Sequence, residues 1–209
     1  MHKVKVGVLV SGGGTNLQAV LDACEKGEVS AEVVLVVSNR REAYALERAQ
    51  KKGIRNEYVD PGNFPGEEYD KELMRIFKEE GVELVVLAGY LRVLSPEFIE
   101  GFRDRIINIH PSLIPDFCGK GYYGEKVHKA VLESGVKKTG ATVHIVDEGT
   151  DTGPILLQES VPVLMDDTVV TLQKRVLAVE HKLLVRAVGE YCLRLVNENN
   201  GGSDEACTD

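Results

Sequence analysis

The chain opens with a short run of β-branched residues that breaks abruptly into glycine. Val4–Val10 is followed by Ser11-Gly12-Gly13-Gly14-Thr15-Asn16 and then by an amphipathic stretch, Leu17–Lys26. A buried strand that turns through glycines straight into a helix starts a βαβ unit, and the next segments keep its rhythm. Val33–Val37 reads as a strand, Ala43–Lys52 as a helix, Arg55–Val59 as a short strand, Glu67–Glu80 as a helix and Leu84–Leu87 as a fully covered strand. This alternation predicts an α/β fold, Rossmann-like, with a mostly parallel sheet flanked by helices.

The second half of the chain behaves differently. Ser95-Pro96 reads as a helix start, with Ser95 as N-cap and Pro96 at the first helical position. Ile106–Ile109 reads as a strand that ends at His110-Pro111. An irregular stretch, Pro111–Glu125, leads to a helix at Lys126–Ser134; structureless segments this long are usually functional or mobile. Two strand-like runs, Thr142–Val146 and Ile155–Val163, flank a turn-rich segment, Asp147–Pro154. A long helix from Val169 to about Leu195 shows one apolar face, at Leu172, Val176, Val179, Leu183 and Leu184. The expected organisation is therefore one domain over residues 1–196. Its half 1–100 binds phosphate, its half 101–196 adds antiparallel strands and the long helix, and residues 197–209 form a disordered acidic tail.

Composition narrows the partners. A formal net charge of -8 over 209 residues argues against a broad electrostatic grip on nucleic acid or an anionic membrane. The first apolar run is too short for a signal peptide or a membrane span. Cys24, Cys118, Cys192 and Cys207 form no C-x-x-C pair, which suits reduced thiols in the cytoplasm. His2, His110, His128, His144 and His181 show no ligand spacing with carboxylates or thiols, so no metal is expected. The long helix could offer a dimer face, so monomer and homodimer both stand.

The glycine loop suits an anion, since glycine lets backbone N–H groups approach closely and the helix dipole favours negative charge there. A monophosphate fits better than a dinucleotide. A G-x-G-x-x-G fingerprint from Gly12 would need glycine where Leu17 stands, and the second strand ends in Ser38-Asn39-Arg40 without an acidic residue for a ribose diol. An unliganded glycine turn is the alternative, although three successive glycines exceed what a tight turn requires. Asn108 and His110 lie two apart on a strand and so share a face at its carboxyl end, where open α/β sheets place ligands. An amide donor beside an imidazole suits acyl transfer, in which a carbonyl oxygen gains charge. On these residues alone a structurally satisfied strand-end histidine also stands. Asp151 could orient His110, or it could serve only as a turn former. His144, alternating with Thr142 on one strand, either lines the site beside it or is a plain strand-face histidine, the second being the simpler account.

Seven segments, VSGGGTNLQAVLDA, VVSNR, ALERAQKKGI, VVLAGYLRVLSP, INIHPSLIP, GATVHIVDEGTDTGPILLQ and RVLAVEH, resemble the folate-dependent formyltransferase family from about Val4 to Leu195. The resemblance implies transfer of a formyl group from 10-formyltetrahydrofolate, as co-substrate, to the amine of glycinamide ribonucleotide in purine biosynthesis. It implies a catalytic trio of Asn108, His110 and Asp151, with the oxyanion stabilised by Asn108 and His110. Gly14, Thr15 and Asn16 would hold the phosphate, Gly89 would accept from the amine side, and Glu180 would contact the ribose or glycinamide end. Leu91, Arg92, Val93 and Leu94 would cradle the pterin together with Asp147, Glu148, Gly149, Thr150 and Asp151, with Asn108 beside them.

A formyltetrahydrofolate hydrolase would share the trio but carry an additional N-terminal domain, and a non-catalytic folate- or phosphate-binding module would bind without transfer. Two features depart from the family pattern. Asp116–Glu125 (DFCGKGYYGE) is several residues longer than usual and has Cys118 where proline is common. No arginine stands around Phe64-Pro65-Gly66-Glu67 for a folate glutamate tail. Cys118 as a nucleophile would need a positive neighbour, and only Lys120 is near in sequence.

Overall fold

The computed structural model describes residues 2–201. One seven-stranded sheet runs through it in the order β3-β2-β1-β4-β5-β6-β7. The strands are β1 (Val4–Val10), β2 (Ala31–Ser38), β3 (Arg55–Tyr58), β4 (Leu84–Leu87), β5 (Ile106–His110), β6 (Lys138–Ile145) and β7 (Ile155–Pro162). Five of them, β3 to β5 in spatial order, are mutually parallel. The last two return antiparallel, so the predicted mixed architecture holds.

Helices cover both faces. On one side α1 (Thr15–Glu25), α2 (Tyr44–Lys51), α5 (Glu125–Ser134) and α6 (Val169–Gly201) pack on the sheet; α3 (Glu68–Glu79) and α4 (Pro96–Gly101) cover the other. The α3 face is aromatic: Tyr69 and Phe77 are fully buried, and Phe77 meets Phe98 edge to face with ring centroids 5.9 Å apart. Burying each such side chain contributes about 1.5–3 kcal/mol. Ser95 caps α4 as the dipeptide predicts, its hydroxyl accepting from the Phe98 N–H, with Pro96 following.

Two boundaries differ from expectation by four residues or more. β6 begins at Lys138, four residues before Thr142, because Lys138–Ala141 pair with β7 at Pro162, Val161, Ser160 and Glu159. Gly140 is forced here: a Cβ would overlap the Glu159 carbonyl oxygen and lie 2.6 Å from Leu113 Cδ2. α6 continues to Gly201 instead of stopping near Leu195, so residues 197–201 of the expected disordered tail are helical. Once nucleated, a helix gains one hydrogen bond per added residue, so a polar stretch can extend it. Residues 202–209, the rest of that tail, lie outside the described residues, as does Cys207.

Val176, Leu183, Leu184, Ala187 and Val188 mark the buried stripe of α6, and Glu180 falls on that same stripe. No helix among the described residues is long and apolar enough to cross a membrane.

Candidate active site

The sheet order turns between β1 and β4, and their carboxyl ends diverge there to leave a crevice. A cavity of about 800 Å³ opens at this edge. It is walled by the glycine loop, the segment after β4, the ends of β5 and β6, the β6–β7 turn, the loop before α5 and the inner face of α6.

Gly14 caps α1 in the left-handed region (φ 70°), and no side chain caps the helix. A Cβ there would lie 2.6 Å from Ala45 Cβ, so α2 packs directly on the loop. The loop's oxygens are turned away from the cavity by specific donors. Gly12 O accepts from the Ala45 N–H at 3.1 Å, Gly13 O from Arg48 Nε at 2.7 Å, and Gly14 O from the Gln18 N–H at 2.9 Å. With its carbonyls drawn toward α1 and α2, the loop offers the cavity N–H groups, the polarity an anion requires.

Ser11 ties three strand ends to this loop. Its N–H donates to Gly89 O at 3.1 Å, its hydroxyl donates to Asn39 Oδ1 at 2.6 Å, and it accepts from the Leu91 N–H at 2.9 Å. Asn16 is turned inward instead of toward the cavity mouth: its Nδ2 donates to Glu180 Oε2 at 2.7 Å. Its contribution to an anion is thereby left to its backbone N–H. Burial pushes the Glu180 carboxyl above its usual range, the Asn16 amide opposing only in part.

Asn108 and His110 project from β5 on one face, and the β6–β7 turn brings Asp151 to both. His110 Nδ1 lies 3.6 Å from Asp151 Oδ2, and Asn108 Nδ2 donates to Asp151 Oδ1 at 3.4 Å. Asp151 has φ 60°, a conformation Asp tolerates and one often found where a side chain must be aimed. Burial opposes its charge. The hydrogen bond with His144, the charge of His110 and the Gly119 N–H (2.9 Å) outweigh burial and hold the carboxyl below its usual range. His110 Nε2 donates to Phe117 O at 3.0 Å, so each nitrogen of the ring faces an oxygen acceptor.

His144 is a member of this constellation. It stands opposite Asn108 in the β5–β6 register, its Nδ1 donating to Ile145 O at 2.8 Å and its Nε2 lying 3.1 Å from Asn108 Nδ2 and 3.6 Å from Asp151 Oδ1. Of the two readings open for it, His144 lines the cavity, and the cross-strand register sets its partner. Alternation with Thr142 shows which face it takes but not what stands across from it.

Gly89, Leu91, Arg92, Val93 and Leu94 all line the cavity, as do Asp147, Gly149 and Thr150. Glu148 does not. Asp147 Oδ1 accepts from the Gly149 N–H at 3.1 Å and from Thr152 Oγ1 at 2.7 Å, and the turn these bonds close directs Glu148 to solvent. Lys120, Tyr122, Tyr123, His128, Gln173 and Leu177 also line the cavity and were not singled out by the sequence. The extended loop around Tyr122 and Tyr123 was the available signal. Cys118 is held as a thiol, since burial and then the charges of Asp151 and Asp116 raise its pKa, the reverse of an activated nucleophile.

Fold and site together define a doubly wound α/β protein with a ligand-sized cavity across its switch point. Residues 4–188 match the formyl transferase family model, and the chain belongs to that family. It is 45% identical over 199 residues to phosphoribosylglycinamide formyltransferase, chloroplastic, of Arabidopsis thaliana, covering 91% of this chain and 66% of the plant protein. It is 39% identical to the trifunctional purine biosynthetic protein adenosine-3 of Homo sapiens, of which it spans only 18%. Among solved structures, glycinamide ribonucleotide transformylase 1 from Symbiobacterium toebii superposes with a TM-score of 0.88 at 44% identity, covering 92% of this chain and 89% of that one.

Proposed function

We propose that the protein transfers the formyl group of 10-formyltetrahydrofolate to the amine of glycinamide ribonucleotide, a step of purine biosynthesis. One observation carries this assignment: an anion-favouring loop and an Asn–His–Asp constellation share one cavity at the edge of the sheet. The names of its relatives agree with it.

The N–H groups of Gly14, Thr15 and Asn16 take the phosphate, and Glu180 takes the ribose or glycinamide end. Leu91–Leu94 and the turn Asp147–Asp151, without Glu148, hold the pterin. Gly89 O keeps a second lone pair for the amine beyond the one Ser11 uses. The amine attacks the formyl carbon, and its oxygen becomes an oxyanion. Asn108 presents to it the N–H now spent on the long 3.4 Å contact with Asp151, the bond most easily surrendered. His110 presents the Nε2–H now donated to the Phe117 carbonyl, which must give way. Asp151 stays ionised beside His110, and a proton passes from the amine to folate N10 as the C–N10 bond breaks. Each well-placed oxyanion donor contributes roughly 3–4 kcal/mol, and holding two substrates in contact supplies much of the remainder.

The test is formyl transfer followed by absorbance, with and without glycinamide ribonucleotide, for the native chain and for His110→Ala. Turnover only with the nucleotide, lost in the variant, supports the assignment. Turnover to water alone would make it a hydrolase, and binding without turnover a binding module.

A further inference from the structure

His128 is a buried polar group to which the reaction above gives no part. It stands on α5 only 2% exposed, and Val127 and Val131 of the same helix are fully buried. Its Nδ1 is closed off from water with no hydrogen-bond partner, and among the described residues Nε2 makes no hydrogen bond or ion pair either. Nε2 is thus the nitrogen left to face the cavity that the residue lines. Filling the position would suit leucine, which strands no polar atom, whereas a buried imidazole with neither nitrogen met loses hydration with nothing to offset it. Burial, then the positive charge of His110, keep the ring neutral by lowering its pKa to about 4. A neutral imidazole carries one N–H, and a buried N–H without an acceptor is rarer than a bare acceptor. The proton therefore sits on Nε2, and the ring offers the cavity one uncharged donor.

α5 lies on the same face of the sheet as α1 and α6, opposite the aromatic core that holds Tyr90 and Leu94. It packs against α6, whose Gln173, Leu177 and Glu180 turn one helix face to the cavity. His128 therefore stands with the groups assigned to the acceptor and not with the pterin cradle. Glu180 is tied to the glycine loop through Asn16, and His128 feels the charge of His110, so the two bracket the stretch between the phosphate and the reacting amine. In the acceptor that stretch is the ribose. Its hydroxyl oxygens match a neutral donor, whereas an ammonium would meet the N–H head-on and a phosphate would draw a second proton onto the ring. We propose that His128 donates from Nε2 to a ribose hydroxyl oxygen of the acceptor and selects a ribosyl over a deoxyribosyl amine. This role rests on the proposed formyl transfer for the identity of the acceptor.

The experiment compares the native chain with His128→Leu, His128→Gln and, as control on the same helix, Lys129→Met, an exposed lysine that pairs with Glu133 at 3.7 Å. Binding of ribose 5-phosphate, 2-deoxyribose 5-phosphate and 3-deoxyribose 5-phosphate is measured by calorimetry without a formyl donor. The native chain and Lys129→Met should bind ribose 5-phosphate about three- to tenfold tighter than one of the deoxy ligands. His128→Leu should lose that preference while binding the same deoxy ligand within about twofold of native, and His128→Gln, which restores a neutral N–H, should regain most of it. A merely structural role would weaken all three ligands alike. In steady-state transfer the kcat/KM for glycinamide ribonucleotide should fall about three- to tenfold in His128→Leu, with the KM for the formyl donor within about twofold. In 15N spectra of the native chain the His128 Nε2–H resonance should move with ribose 5-phosphate and stay with the discriminated deoxy ligand, a readout that survives a poorly folding variant. An unchanged preference in His128→Leu, or a native chain that does not distinguish the three ligands, would overturn the role of His128. A preference lost in His128→Leu with no formyl transfer by any chain would refute the function and keep that role; transfer without any preference would do the reverse.

Discussion

His128 should make the fold acid-sensitive well above the carboxylate range. The imidazole is 2% exposed on the inner face of α5, and its Nδ1 is buried without a hydrogen-bond partner. Burial, then the positive charge of His110, lowers its pKa from 6.5 to about 4. The group is therefore neutral in the fold throughout the range in which the unfolded chain takes up a proton. Above pH 6.5 it is neutral in both states and costs nothing. As pH falls from 6.5 toward 4 the unfolded chain binds the extra proton, so stability declines by about 1.4 kcal/mol per pH unit. The loss is roughly 2 kcal/mol at about pH 5 and about 3 kcal/mol by pH 4, a large part of the ~5–15 kcal/mol of a typical domain. His128→Leu, of similar volume and good helix propensity, removes the titration while keeping the contacts. Urea unfolding followed by circular dichroism at about pH 7 and about pH 5 gives the difference between the chains, in which every other titrating group cancels. The native chain should lose about 2 kcal/mol more than the variant over that interval. Equal losses would mean that His128 is protonated in the fold, and the burial argument would fail.

Two further outcomes follow from the geometry. Asp151→Asn keeps the shape of the turn but removes the charge facing Nδ1 of His110, so kcat should fall about 10²–10³-fold with the KM of both substrates little changed; a fall below about fivefold would remove Asp151 from the catalytic machinery. Gly140→Ala drives a Cβ into the Glu159 carbonyl on the adjacent strand, where backbone on both sides leaves no room to relax. It should cost at least about 3 kcal/mol, read as a fall in Tm by calorimetry, and an unchanged Tm would show that the β6–β7 pairing is looser than the geometry requires.

Much of this protein is written locally. Strand and helix periods, the Ser95-Pro96 cap and the break at Gly12–Gly14 each depend on a few neighbouring residues, so element order, the parallel half of the sheet and the anion-favouring turn could be read from the chain. The same holds for Asn108 and His110, because two residues apart on a strand face one way whatever surrounds them. The resemblance to a family supplied the pairing of His110 with Asp151, which no local rule reaches. Only the folded chain decided the rest. His144 enters the constellation through the antiparallel register of β5 and β6, Asn16 turns inward because Glu180 on α6 waits there, and Glu148 faces solvent because Asp147 closes its own turn. The oxygens of the glycine loop point away from the cavity because Ala45 and Arg48 of α2 take them. The physical reason is common to all but the Asp147 turn, whose bonds to Gly149 and Thr152 are local. Backbone periodicity is set within one helical turn or one pleat, whereas the partner of a polar side chain is chosen by whichever distant element folding brings within about 3 Å.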